Sequence, residues 1–349
     1  MKLLSILIVT LLHLKMLAQI DYKVEVMGTT NNIKTNTPYY TDLSDQLLVK
    51  LTTNFKYTSF EILDKSTNKM VIFYPNGNFD LGIDVSYKWA GLGISYGLPN
   101  SDTSTYQRGT TKRFDLQFNL YPKTFAIDAL LQRYEGFYLY NPNNFTEWNS
   151  EVSPQSPDMK NYYFGVSAYY IFNHKKFSYR AAYVRSEIQN KSAGSLFVGP
   201  FLNIDKAHSS DQFIPEDLPQ AVQDTFDVNL FSSVAYGIAI GYTYTLVIRK
   251  KGFINMSLAP GIGVKNLKTS NGDVVKTTKS GISTRVALKL ALGYEYRSYL
   301  LGLNYFGTEG SIASENLEFR PGTGNLMFFL AKRFDIKKHK KLVNHKSHQ

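Results

Sequence analysis

Residues 234–248, VAYGIAIGYTYTLVI, alternate between large and small side chains along their whole length. The large residues are apolar or aromatic, and the residues between them are Ala, Gly or Thr. A period of two residues predicts a β-strand. At 15 residues the strand is much longer than the usual length of about five or six residues. Its large face must therefore meet either a protein core or lipid.

The same alternation recurs along most of the chain and predicts twelve strands. They are 47–61, 78–89, 91–98, 112–121, 124–134, 161–173, 176–187, 233–249, 252–266, 281–297, 298–307 and 324–334. Short turns alternate with long connections, which is typical of an antiparallel up-and-down barrel of the bacterial outer membrane. An even strand number places both ends of the barrel on the periplasmic side.

One further segment, GSLFVGPFLNID at 194–205, is strand-like and does not fit this count. If it crosses the membrane, another strand is needed before residue 233 and the barrel has 14 strands. We favour 12 strands, with this segment forming structure inside a long external loop over 188–232.

The character of the two strand faces favours a membrane protein over a soluble one. In a soluble sandwich the large faces would meet in a core and leave a polar face in water, but here the opposite face is mostly small or weakly polar. We therefore predict an all-β, transmembrane antiparallel up-and-down β-barrel. The alternative is a soluble periplasmic β-barrel with its large face inward, around an apolar ligand.

Charged residues of both signs fall on the predicted lumen face. They are Asp80, Asp84, Arg113, Asp115, Arg285, Lys289 and Glu295. They could form a selectivity filter or a binding track, or they could pair with one another and plug the lumen. The second interpretation is slightly favoured because neither sign dominates.

The two ends of the chain predict export and a basic tail. Residues 1–19 carry a lysine, an apolar stretch and an Ala-containing cleavage end, as a cleaved secretory signal does. A periplasmic segment over 20–46, the barrel over 47–334 and a disordered tail over 335–349 would follow. The tail could contact lipid phosphates or an acidic partner, although most such tails are only solvated. With no cysteine in the chain, an exported bacterial envelope protein is favoured.

Few residues could carry catalysis or bind a cofactor. Most barrel hydrolases need a His beside a Ser or Asp, and only His208, in HSSD, could reach an external site. No metal-ligand spacing is present, and the formal charge of +11 is not concentrated as nucleic-acid binding requires. We expect no enzyme activity, no cofactor and no nucleic-acid partner; a barrel enzyme acting on lipid or glycan is the alternative.

Two regions suggest partners. In the predicted loop 135–159, Tyr138, Tyr140 and Trp148 could stack on a glycan or a protein, or the two tyrosines could simply extend a strand. The last strand ends in Phe334 and resembles the C-terminal signal that the barrel assembly machinery binds. It departs from that signal in Lys332 on the apolar face and in the 15 residues that follow Phe334.

Several stretches of the chain resemble an uncharacterised family of barrel-like envelope proteins of Bacteroidota. They are IFYPNGNFDLGIDVSYKWAGLGISY (72–96), LQRYEGFYLYNP (131–142), NKSAGSLFVGP (190–200) and GYTYTLVIRKKGFINMSLAPGIGV (241–264). The resemblance implies an outer-membrane location and supplies no catalytic residues. The expected role is passive passage of a small solute, binding, or envelope structure, with outer-membrane lipid as the surrounding partner.

Overall fold

The computed structural model describes residues 38–335 except 78, 89, 250 and 272–273. The predicted signal segment and nearly all of the basic tail lie outside the described residues. The described strands are β1 Tyr40–Asp42, β2 Gln46–Asp64, β3 Met70–Tyr74, β4 Asp80–Tyr87, β5 Ala90–Gly97, β6 Lys112–Leu120, β7 Phe125–Leu139, β8 Gln155–Ile171, β9 Glu187–Gln189, β10 Ala193–His208, β11 Leu230–Ile248, β12 Gly252–Asn271, β13 Val274–Tyr296, β14 Tyr299–Ala313 and β15 Leu317–Asp335.

Within the described part of residues 38–335, helical structure is limited to short segments between strands. The helices are α1 Asp102–Arg108, α2 Tyr179–Ala182 and α3 Gln220–Thr225, with a 3₁₀ turn at Pro142–Asn144. Among the described residues, none of these helices has the length and apolar character needed to cross a membrane.

A closed ring of antiparallel strands forms the body of the protein. Twelve of the described strands pair in the order β2, β4, β5, β6, β7, β8, β10, β11, β12, β13, β14 and β15, and β15 pairs with β2 over 19 residues to close the ring. The short β3 lies above β4 and joins β2 to β7. The predicted fold, a closed up-and-down β-barrel, is therefore confirmed. The turns between β4 and β5, β6 and β7, β11 and β12, and β13 and β14 lie at one end, called here the turn end; the opposite end is the loop end.

The predicted strand count is correct, but one of the predicted strands is wrong. Residues 176–187 do not span; they hold α2 and the start of β9. Residues 193–208 form β10, which pairs with β8 on one side and β11 on the other. The segment GSLFVGPFLNID is thus part of the wall, and 14 strands are not needed.

Several predicted loops are also strand in the structure. The β12–β13 and β14–β15 hairpins continue to Asn271 and Ala313, so most of the predicted loops 267–280 and 307–324 extend the sheet. The sequence pattern missed these strand segments because the large apolar residues change from the outer face to the inner face along them. Nearer the turn end Phe328 and Leu330 point outward, whereas at the loop end Phe319 points inward, between the outward residues Glu318 and Arg320.

The outer face carries a belt of exposed large apolar side chains. On β11 the residues Val234, Tyr236, Ile238, Ile240 and Tyr242 are all exposed, while the residues between them are largely buried. The same outward pattern continues around the ring. On β11, the outward direction of the large side chains agrees with the prediction from the sequence.

The closing register can be tested with cysteines because the chain has none of its own. Leu51 and Leu330 are direct partners across the β2–β15 seam. We expect Leu51→Cys with Leu330→Cys to form a disulfide on oxidation, since directly paired Cα atoms lie about 4.5–5.5 Å apart. Leu51→Cys with Phe328→Cys is the control, because this diagonal pair lies about 7–8 Å apart. Preferential joining of the diagonal pair, seen by mass spectrometry, would show a shifted seam.

Candidate functional site

The turn end of the barrel is filled by the connection between β8 and β10. Most residues of 177–189 are buried inside the ring. The Tyr179 hydroxyl lies 3.2 Å from Ser257 Oγ, and Tyr183 donates a 2.7 Å hydrogen bond to Asn255. Pairing of β9 with β1 ties the N-terminal strand to this segment. We call residues 172–192 the turn-end plug.

The small residues on the inner face of the wall are explained by this filling. A Cβ atom at Gly241 would lie 2.3 Å from the Phe197 ring, and one at Gly302 would lie 2.5 Å from the Phe329 ring. Four inner-face alanines of β11–β13, at 239, 259, 287 and 291, pack in the same clusters as plug residues. The small face that the sequence assigned to the lumen therefore accommodates aromatic rings and a plug.

Ion pairs fasten the plug to the wall. Arg185 bonds Glu295 at 2.8 Å, and Arg333 bonds the other oxygen of Glu295 at 2.9 Å. The Arg185 guanidinium also lies 4.1 Å from the centre of the Phe253 ring. Burial lowers the pKa of Arg185 to about 10, and Glu295 opposes this change. The arginine is therefore charged at neutral pH, as an ion pair requires.

Lys289 is the central cation of the turn-end half of the lumen. Its ammonium pairs with Asp128 and lies 3.2 Å from the hydroxyl of Tyr121. It also lies 5.5 Å from the ring centre of Tyr179 and 5.1 Å from that of Tyr183. Lys289 thus bridges two wall strands and the plug through charge and cation–π contacts.

The loop end is closed by a separate apolar core. Residues 209–229 fold into the ring, where Phe213 and Phe226 are fully buried. The Phe213 ring lies 5.4 Å from Phe60 of β2, which in turn lies 6.0 Å from Phe319 of β15. We call this group the loop-end core. Its members come from eight wall strands, from β3 and from residues 213–228, so it fills the cross-section of the barrel.

A cavity of about 420 Å³, lined by both charged and apolar side chains, lies between the plug and the core. Tyr183 and Val184 of the plug contribute to its lining. Arg113 pairs with Asp80 at 2.6 Å. Lys56 lies 3.1 Å from Asp80 and 3.7 Å from Asp115, so the charges of this group balance.

Asp84 and Lys50 are direct strand partners on the wall of the same cavity. Asp84 makes no ion pair or hydrogen bond within the described part of the chain. The Lys50 ammonium contacts the carbonyl of Tyr183 at 3.5 Å. The pair therefore offers one free carboxylate and one weakly held ammonium to the cavity.

The structure places all seven predicted lumen residues inside the barrel, five on the cavity and two away from it. Asp80, Asp84, Arg113 and Asp115 line the cavity, and Lys289 lies beside Asp128. Arg285 bonds Thr308 at 3.0 Å and Tyr169 at 3.3 Å. Glu295 forms an ion pair with Arg185 of the plug. Five of the seven, all except Asp84 and Arg285, are in ion pairs.

The sequence analysis missed other charged residues of the lumen. Lys50 and Lys56 share the inner face of β2, and their even spacing could have revealed them. Arg180 and Arg185 of the plug lie in a segment interpreted as a strand. In a strand these two arginines would lie on opposite faces, so one of them would face lipid. This placement argues against a membrane-spanning strand.

The predicted loop aromatics do not form a common face. Tyr138 belongs to β7, and the guanidinium of Arg108 lies 5.7 Å from its ring centre. Tyr140 is exposed and contacts the Tyr74 ring at 5.2 Å. Trp148 donates a 2.9 Å hydrogen bond to the carbonyl of Val152 and packs on the loop-end core.

The candidate catalytic group is dispersed in the structure. His208 Nδ1 lies 3.3 Å from the carbonyl of Asn229, while Ser209 and Ser210 both donate hydrogen bonds to Asp158. Neither serine hydrogen-bonds to His208 within the described residues. No group of three or more His, Asp or Glu side chains in the described part of the chain is arranged to hold a metal ion.

Comparison with known sequences gives one family. The family described as "Domain of unknown function (DUF4421)" matches residues 34–334. Among curated proteins, none matches this sequence.

Solved structures match this chain at low similarity. The outer membrane protease OmpT from Escherichia coli has 7% identity and a TM-score of 0.37, over 84% of this chain and 98% of that chain. The P. putida toluene transporter TodX has 9% identity and a TM-score of 0.24, over 84% of this chain and 92% of that chain. OmpT of Vibrio cholerae has 10% identity and a TM-score of 0.27, over 89% of this chain and 100% of that chain. Similarity at this level gives no information about the activity of this chain.

The contribution of Lys289 can be measured by urea unfolding in detergent micelles. We expect Lys289→Met to destabilise the barrel by about 3–5 kcal/mol, because Asp128 would remain buried without its cation. Lys289→Met with Asp128→Asn should recover most of this loss. Lys112→Met is the control, since its pair with Glu135 is exposed and should contribute less than about 1 kcal/mol. Equal effects of Lys289→Met and Lys112→Met would contradict the central role of Lys289.

Proposed function

This chain belongs to the family of domains of unknown function DUF4421, and we propose that it is a bacterial outer-membrane β-barrel whose closed lumen serves binding rather than passage of solutes. The observation that carries the proposal is the filling of the ring at both ends by the chain's own loops. The resemblance of residues 72–96 to envelope proteins of Bacteroidota supports an origin in that group.

The outer face supports the membrane location. A continuous apolar belt on a soluble protein would be a large exposed patch, which soluble monomers rarely carry. At the loop end the outer face turns polar while the inner face turns apolar, as expected where a wall leaves the bilayer and enters water. Because lipid offers no hydrogen bonds, the closed ring suits that environment.

Aromatic and basic side chains at the turn end support a headgroup boundary there. Lys88 lies 5.5 Å from the ring centre of Tyr87, Arg297 lies 5.3 Å from that of Tyr296, and Lys332 lies 5.2 Å from that of Tyr299. Tyrosines gather at membrane interfaces, and lysine and arginine attract lipid phosphates. This assignment makes the turn end periplasmic and Phe334, at the end of the closing strand, the contact for the assembly machinery.

The alternatives have less support. A soluble barrel around an apolar ligand needs its large face inward, whereas Ile238, Ile240 and Ile262 point outward. A barrel hydrolase at His208 needs a serine within reach of the imidazole, and both neighbouring serines bond Asp158 instead. An open porin needs a continuous water path, which the plug and the core both obstruct.

The lipid-facing belt predicts a position-dependent cost for a charge. Ile240 is 60% exposed in the middle of the β11 outer face. We expect Ile240→Arg to destabilise the protein in lipid vesicles by about 2–4 kcal/mol in urea titrations. Asn266→Arg, on the outer face of β12 where polar residues begin, should cost about 0–1 kcal/mol. Equal costs at both positions would argue against a bilayer around this belt.

The closed lumen predicts a silent barrel in planar lipid bilayers. We expect the folded wild-type protein, shown by its faster gel migration before boiling, to give no conductance steps. The combined variant Tyr179→Ala, Arg185→Ala, Phe213→Ala and Phe226→Ala loosens both closures and should give irregular steps. Lys175→Ala, at an exposed turn of the plug, should remain silent. Regular steps from the wild-type protein would overturn the proposal.

A further inference from the structure

The barrel wall has a gap between β5 and β6. These strands have 8 and 9 residues, yet they pair only through Ala90 with Leu120 and Gly91 with Asn119, next to the turn end. Beyond these two pairs the described residues of β5 and β6 form no ladder with each other. We call the gap between 92–97 and 112–118 the lateral opening.

The cavity reaches this opening through the wall. In a strand, alternate residues face opposite sides of the sheet, yet the cavity is lined by both sets on both strands. Gly93 and Ser95 line it from the inner face of β5, and Leu92 and Ile94 line it from the outer face. On β6, Asp115 lines the cavity from the inner face and Leu116 lines it from the outer face. Since the plug and the core close the two ends of the barrel, the opening between these strands leads sideways, into the region of the apolar belt.

The edges of the opening are apolar on the outside. Leu92 is 61% exposed, Ile94 77%, Phe114 55% and Leu116 50%. Such side chains suit an acyl chain lying against the wall. Polar backbone groups line the same edges, however, and an unpaired backbone group in hydrocarbon costs several kcal/mol. The occupant must therefore bring polar atoms as well as an apolar chain.

The interior of the cavity indicates the charge of that polar group. Its lining carries Lys50, Lys56, Arg113 and Lys289 against Asp80, Asp84 and Asp115, and Lys289 is also paired with Asp128. The charges therefore balance. A strongly anionic or cationic ligand would leave one set uncompensated, whereas a zwitterion can meet a carboxylate and an ammonium together. Asp84 and Lys50 are adjacent and available for this purpose.

Two amides add unused hydrogen-bonding capacity. The side-chain oxygens of Asn304 and Asn325 are buried and have no hydrogen-bond partner within the described residues, and both residues line the cavity. Buried polar groups are normally hydrogen-bonded. These oxygens can accept hydrogen bonds from an ammonium or a hydroxyl of a headgroup.

We propose that the lateral opening admits one phospholipid from the surrounding bilayer, with its zwitterionic headgroup in the cavity and its acyl chains against Leu92, Ile94, Phe114 and Leu116. The opening lies in the turn-end half of the wall, at the level of residues 49–54 of β2, so the lipid comes from the periplasmic leaflet. This inference deepens the binding role proposed above and rests on the membrane location. The volume of about 420 Å³ lies within the usual range of ligand pockets, about 300–1,000 Å³.

The first test closes the opening with a disulfide. Ile94→Cys with Leu116→Cys is reconstituted in vesicles of equal phosphatidylethanolamine and phosphatidylglycerol, extracted in detergent and examined by native mass spectrometry for retained lipid. We expect the wild-type and reduced proteins to retain phosphatidylethanolamine, and the oxidised variant to retain about tenfold less. Leu116→Cys with Leu131→Cys is the control, because these residues are already paired between β6 and β7, and its oxidation should change nothing.

The second test changes the charge of the cavity and does not depend on disulfide formation. We expect Asp84→Lys to shift retention from phosphatidylethanolamine to phosphatidylglycerol, because the cavity becomes cationic. Asp102→Lys makes the same charge change on the exposed helix α1 and should leave the preference unaltered. Equal retention of both lipids by the wild-type protein, or a preference that Asp84→Lys leaves unchanged, would overturn the inference.

The outcome also separates this inference from the proposed function. A protein that inserts, gives no conductance steps and retains no lipid overturns the phospholipid site alone. A protein that fails to insert overturns the membrane location and this site with it.

Discussion

The closed ring of backbone hydrogen bonds is the constraint on which the rest of the structure depends. A sheet edge in hydrocarbon leaves polar groups without partners, so the wall must close on itself. The long β2–β15 seam meets this requirement with a ladder of 19 residue pairs. Strands β5 and β6 do not meet this requirement along their whole length, because only two residue pairs join them. That departure is where the wall has unpaired edges, and it is where we place a ligand.

Closing the ring creates an interior that must also be filled. Near the turn end the filling is polar and aromatic, with Lys289, Arg185 and Glu295 joining the wall to the plug. Near the loop end it is an apolar core around Phe60 and Phe213. Buried charges are expensive unless paired, which explains why most cations of the lumen have a carboxylate or an aromatic ring within reach. The middle region, around Asp84, is the part left incompletely satisfied.

The predictions from sequence succeeded where one local pattern decided the outcome. The alternation in 234–248 indicated both the strand and its outward face because a large apolar residue at every second position has only one favourable arrangement in a barrel. The inward direction of Asp80 and Arg285 follows from the same period. Residues 176–187 were interpreted wrongly because aromatic residues at alternate positions also suit a plug that packs against aromatic neighbours. The predicted loops 267–280 and 307–324 were wrong because the two faces exchange character there.

The sequence by itself determined the class of fold and the side of the wall on which most residues lie. These properties depend on a period of two residues, which is local and visible along one strand. Only the tertiary structure decided that β10 replaces residues 176–187 in the wall, that two loops close the lumen, and that β5 and β6 separate. Each of these depends on contacts between residues far apart in the chain, such as Arg185 with Glu295, and no local period records such contacts.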